Sequence, residues 1–96
     1  MPDVLLSIRA EDDLRRLEKL ERERVRRALA SLAVGAPNLD IRPLVGHEPW
    51  RRLRVGNRRV IFRRTVQGGG VEGPIRVARI VNRRDLEAVA RGLAVV

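Results

Sequence analysis

Two apolar runs, Leu53 with Val55 and Val60 to Phe62, flank the pair Gly56-Asn57 in the segment WRRLRVGNRRVIFRR, Trp50 to Arg64. A glycine-asparagine pair suits a two-residue hairpin loop, because both residues tolerate positive φ. A loop that short fixes the pairing: Val55 faces Arg58, Arg54 faces Arg59, Leu53 faces Val60, Arg52 faces Ile61 and Arg51 faces Phe62. Side chains alternate across a strand, so Leu53, Val55, Val60 and Phe62 share one face. Trp50, Arg52, Arg54, Arg59, Ile61 and Arg63 share the other. One face can be buried, and the other is cationic. Arginines directly opposite one another, as at Arg54 and Arg59, destabilise an isolated sheet by a few tenths to roughly one kcal/mol. An anion held between them relieves the repulsion.

The formal charge of +9 is concentrated in and around this segment. Residues 1–41 hold eight basic and eight acidic side chains, which cancel. Residues 42–84 hold twelve arginines against Glu48 and Glu72, a surplus of ten, and the remainder returns one charge. So dense a positive segment attracts phosphate backbones or an acidic protein, with affinities that fall as salt rises. Lys19 is the one lysine among twenty-one basic residues, and guanidinium favours two-pronged phosphate contacts over point-charge ones.

Ninety-six residues form one small domain, residues 1–96, near the lower end of what a single core supports without staples. Cysteine is absent, which leaves no disulfide framework and no thiolate metal site, and a single histidine cannot build a zinc centre. No cofactor is expected. No apolar run approaches the ~20 residues that span a bilayer, and the amino terminus lacks the charged and apolar regions of a secretory signal. The expectation is a cytoplasmic chain with no membrane partner.

Along the chain, Val4 to Ile8 is compatible with a first strand. Asp12 or Asp13 is placed to cap or charge the start of a following helix. Leu14, Leu17 and Leu20 recur at helical spacing, and Val25, Ala28, Leu29 and Leu32 resume on a shifted phase, which predicts either a helical hairpin or one bent helix. Gly35-Ala36-Pro37-Asn38 stops it, and Leu39 to Pro49 reads as an irregular connection. After the arginine hairpin, Gln67 to Pro74 is a glycine-rich loop, Ile75 to Val81 a last strand, and Arg84 to Leu93 a short terminal helix. The predicted fold is α+β: an antiparallel sheet of about four strands on an N-terminal helical hairpin, in the order β-α-α-β-β-β with a short C-terminal helix. With helices on one face only, the arginine face stays open.

The segment PLVGHEPWRRLRVGNRRVIFRR, followed after the glycine-rich loop by RVARIVNRR, resembles the RelE/ParE superfamily of toxins from bacterial type II toxin-antitoxin modules. The signature residues are Trp50, Arg52, Leu53, Arg54, Val55, Gly56, Arg59, Val60, Ile61 and Phe62, and the LRRLEKL helix with the helix after it fits the same order. The resemblance implies a toxin held inactive by a cognate antitoxin. In the RelE-like branch it implies a ribosome-dependent messenger RNA endonuclease that inhibits translation, with catalytic residues at Arg52, Arg54, Arg59 and Arg83. The ParE-like branch implies instead a non-catalytic inhibitor of DNA gyrase. The resemblance further implies that operator DNA is contacted through the antitoxin alone. Two positions depart from the family pattern: the C-terminal tyrosine has no counterpart, its nearest positions being Glu87 to Val89, and a position often histidine is Asn82. A third reading is a nucleic-acid or ribosome-binding module without catalysis.

Cleavage of RNA by its own 2′-hydroxyl requires a proton acceptor, stabilisation of a dianionic phosphorane and a proton for the leaving 5′-oxygen. Arginine meets the second need and is a poor acid or base. His47, with Glu48 in the same loop, is the local candidate for proton transfer; packing of the loop is its alternative role, and Glu87 is a weaker candidate. Trp50 either stacks on an unpaired base or closes the edge of the core. Arg51, Arg58, Arg63 and Arg79 are candidate RNA contacts, and Arg64 and Arg76 general phosphate or partner contacts.

Overall fold

The computed structural model describes residues 3–93. Its elements are β1 (Val4–Leu6), α1 (Ile8–Arg15), α2 (Lys19–Ala33), β2 (Ile41–Pro43), β3 (Arg51–Val55), β4 (Arg58–Val66), β5 (Glu72–Asn82) and α3 (Leu86–Arg91). One sheet of five strands runs in the order β1-β5-β4-β3-β2. It is mixed, since β1 pairs parallel with β5 while the other neighbours are antiparallel. The expected antiparallel sheet of about four strands is corrected on both counts. β2 is three residues ending in proline, too short for a two-residue period to show, and its place at the sheet edge tolerates a residue with no N–H. β1 meets β5 from the far end of the chain, so no hairpin dictates its direction.

The β3-β4 register is the one the sequence predicts, from Val55 opposite Arg58 to Arg51 opposite Phe62. Gly56 carries a φ of 60°, while Asn57 is not among the residues with positive φ. That combination belongs to a type II′ turn, in which the first central position needs glycine and the second does not.

α1 and α2 are separate helices covering one sheet face. Ala10, Leu17, Val25, Leu29 and Leu32 pack against Leu53, Val60, Phe62, Ile75, Val77 and Ile80. A β-bulge keeps β5 in phase with this layer. Ile61 pairs with Arg79 and Phe62 with Val77, which leaves Ala78 as an extra residue. Val77 and Ile80 therefore both turn to the helices, and Ala78 and Val81 to the other side.

The helix start differs from expectation. Ser7, not Asp12 or Asp13, caps α1: its Oγ accepts from the Ala10 N–H at 3.0 Å and donates to the Ala78 carbonyl at 2.7 Å. Asp13 instead ties α1 to β5, accepting from Arg79 Nε at 2.8 Å, Arg79 Nη2 at 3.1 Å and the Ile80 N–H at 2.9 Å. Arg58 makes the equivalent tie to α2, donating to both oxygens of Glu21 at 2.9 and 3.3 Å. That bond holds the Glu21 carboxyl below the usual glutamate range against the opposing effect of burial.

The other sheet face is only partly open. Leu44, Ile61, Val81 and Ala90 form a second cluster with Trp50, Ala78, Leu86, Val89 and Leu93 packed on it. α3 thus folds back over Ile61 and Val81, because its apolar stripe finds the two aliphatic side chains that alternation sends to that face. The arginine-bearing part of β3 and β4 lies beside this cluster.

Candidate functional site

Alternation sends Arg52 and Arg54 of β3 and Arg59 of β4 to the same side as Ile61, and Arg54 stands directly across from Arg59. The end of β5 brings a fourth arginine, since the Arg83 N–H donates to the Asn57 carbonyl at 2.8 Å beside the hairpin turn. The Arg59 guanidinium donates through Nη1 to the carbonyls of Gly56 and Arg58, both at 3.0 Å. Its pKa is pushed below the ordinary guanidinium value, first by burial and then by the charges of Arg52, Arg54 and Arg83. The positive charge gathered around Arg59, which Asp40 offsets in part, makes this side of the hairpin attractive to an anion.

Asp40, just before β2, is part of the site and escaped the sequence reading. Arg52 Nη1 donates to its carbonyl at 3.1 Å and to its Oδ1 at 3.0 Å. Arg54 Nη1 lies 3.9 Å from its Oδ2 and Arg42 Nε 3.9 Å from its Oδ1. The bond from Arg52 holds the Asp40 carboxyl below the usual aspartate range, with Arg42 and Arg54 adding to the effect. One signal was available: Asp40 is the only acidic residue between Glu23 and Glu48.

A cavity of about 220 Å³ adjoins the cluster and shares Arg42 and Arg52 with it. His47 and Glu87 line the same cavity, with Pro43, Leu44, Leu86 and Ala90 supplying apolar wall. The loop that carries His47 is closed by its own main chain: the His47 N–H donates to the Leu44 carbonyl at 2.9 Å, and Trp50 N–H to the His47 carbonyl at 3.0 Å. Glu48 turns to the Gly46 N–H at 3.3 Å and is not among the residues lining that cavity.

The other candidate contacts fall elsewhere. Arg58 and Arg79 are held by Glu21 and Asp13, the carboxylates that bind the helices to the sheet. Arg51 alternates toward the helical side and is exposed, lining a separate hollow with Arg64. Trp50 is half-buried on the second cluster, and the Arg63 guanidinium carbon sits 5.8 Å from its ring centroid, within cation-π range. Asn82 accepts from the Arg84 N–H at 3.1 Å through Oδ1 and caps the turn that leads into α3.

Two solved structures have this architecture. The fold is RelE-like. A chain of the RelB-RelE antitoxin-toxin complex from Methanococcus jannaschii superposes with a TM-score of 0.66 at 22% identity, covering 88% of this chain and 96% of that one. A chain of the archaeal RelE-RelB complex from Pyrococcus horikoshii OT3 gives 0.64 at 22% identity, covering 85% and 94%. No family model and no curated protein matches the sequence. The likeness extends over most of this chain and concerns the fold. The chemistry of the site rests on its own residues.

Proposed function

We propose that this chain is the toxin of a type II toxin-antitoxin pair and that it cuts messenger RNA on the ribosome. The observation that carries the reading is the convergence of Arg52, Arg54, Arg59 and Arg83 beside a cavity that also presents an imidazole and a carboxylate. Arg59 with the charges of Arg52, Arg54 and Arg83 acting on it suits a phosphodiester whose charge grows to two in the transition state. Proton transfer falls to the cavity. Of the cavity's side chains, His47 takes the 2′-hydroxyl proton or supplies one to the leaving oxygen, and Glu87 lines the same cavity.

The partner is an antitoxin. Two proteins of similar fold come from RelE-RelB complexes, and this chain offers two surfaces suited to such a partner. One is the arginine cluster. The other is an apolar groove lined by Leu5, Ile8, Trp50, Val89 and Leu93 between β1, β5 and α3. An acidic segment with an apolar stripe fits the two together.

The test is translation in a cell extract. Added toxin is expected to stop protein synthesis and to leave cuts inside translated messages only, with untranslated RNA intact. The alternative target is DNA gyrase, favoured by the absence of any tyrosine for the C-terminal family position. Gyrase-dependent DNA breaks with translation unimpaired decide for that alternative.

A further inference from the structure

We propose that Asp40 is the resident anion of the arginine cluster: its carboxylate holds an Arg52 donor that a phosphodiester takes, and it thereby limits the affinity of the site for RNA. The inference rests on reading the cluster as a phosphate site. Carboxylate and phosphodiester each present two terminal oxygens and one negative charge, so they compete for the same forks. Arg52 Nη1 donates to the Asp40 carboxylate at 3.0 Å and to the Asp40 main-chain carbonyl at 3.1 Å. Arg42 and Arg54 stand at 3.9 Å, too far for a hydrogen bond, so charge alone draws them toward the carboxylate. The Asp40 side chain is 42% exposed and the Arg52 side chain 16%, so an incoming ligand meets the carboxylate before it reaches that guanidinium.

The position of Asp40 does not depend on its side chain. Its carbonyl accepts from the Arg54 N–H at 3.0 Å as well as from Arg52. An asparagine at this position keeps the main-chain ties and one side-chain acceptor and loses only the charge. In the free protein the carboxylate screens the mutual repulsion of the arginines. When a phosphodiester arrives, the same charge opposes it, and Arg52 has to be shared or exchanged. Asp40 is therefore a positioning and affinity-setting residue.

The experiment is equilibrium binding of a short single-stranded RNA to the free protein, without ribosomes, over a series of potassium chloride concentrations. Asp40→Asn is expected to bind about fivefold to tenfold more tightly than wild type at ~0.1 M salt, from removal of one opposing charge at close range. Its log-log salt slope is expected to steepen by about 0.7, the increment for one further phosphate contact on a single strand. Asp40→Ser is expected to move the same way, and Asp40→Glu to restore the wild-type slope. Thermal melting confirms that each variant is folded, and the serine variant decides if the asparagine variant is not. Unchanged slopes in Asp40→Asn and Asp40→Ser, or weaker binding in both, overturn the proposal alone. A wild-type protein that binds no RNA at any salt overturns the phosphate-site reading with it.

Discussion

Replacing Arg59 with alanine is expected to lower messenger RNA cleavage on the ribosome by about a hundredfold or more, with the fold retained. Arg59 sits at the centre of the cluster, where Arg52, Arg54 and Arg83 all act on it. Its guanidinium is anchored on two main-chain carbonyls of the hairpin turn, so it is preorganised before any substrate arrives. Groups fixed in advance stabilise developing charge without reorganising at the moment of reaction. The change in stability is small, because the two lost bonds, at about 0.5–1.5 kcal/mol each, are offset by relief of like charges. Arg58→Ala is the contrasting variant. Arg58 is neighbour to Arg59 in sequence but bonds Glu21 on the helical side, so its loss is expected to lower the melting temperature and leave the cleavage rate near wild type. Primer-extension mapping of cut messages, with melting curves for both variants, separates the two effects. Equal rate losses contradict the assignment.

Phe62→Ala is expected to cost about 3–5 kcal/mol, the range for emptying a buried aromatic site. Phe62 is wholly buried and is the only phenylalanine in the chain. It lies on the sheet face that receives Leu29, Leu32 and Val25 from α2, so no small rearrangement fills the gap. A domain of this size has a total stability of roughly 5–15 kcal/mol, so the variant approaches the threshold of unfolding. Ile8→Ala at the exposed start of α1, where the residue is 85% accessible, is expected to change stability by no more than about 0.5 kcal/mol. Urea denaturation reads both. A loss under about 1 kcal/mol for Phe62→Ala places the core elsewhere.

The hairpin was legible because three independent signals agree on it. Gly56 sets the turn, the alternation of Leu53, Val55, Val60 and Phe62 sets the faces, and a two-residue loop sets the register. Helix α2 was legible from its spacing of Val25, Leu29 and Leu32. What the sequence concealed was long-range. β2 is too short to carry a period, and the parallel pairing of β1 depends on contact with a strand some seventy positions later. The bulge at Ala78 breaks the alternation that a strict two-residue reading imposes on β5. In the site, a run of arginines looks uniform from sequence, yet the fold sorts it. Arg58 and Arg79 go to structural carboxylates, and Arg52 goes to Asp40. Asp40 lies outside the hairpin, so only the pairing of β2 with β3 reveals its place.

The most direct measurement follows the arginine Nε–H resonances by NMR while a single-stranded oligonucleotide with a 2′-deoxy backbone, which cannot be cut, is titrated in. The account predicts that Arg52, Arg54, Arg59 and Arg83 shift together along one saturation curve, and that Arg58 and Arg79, held by Glu21 and Asp13, stay in place. Shifts that scatter over the molecule, or that appear at Arg58 and Arg79 while the four remain unmoved, contradict it.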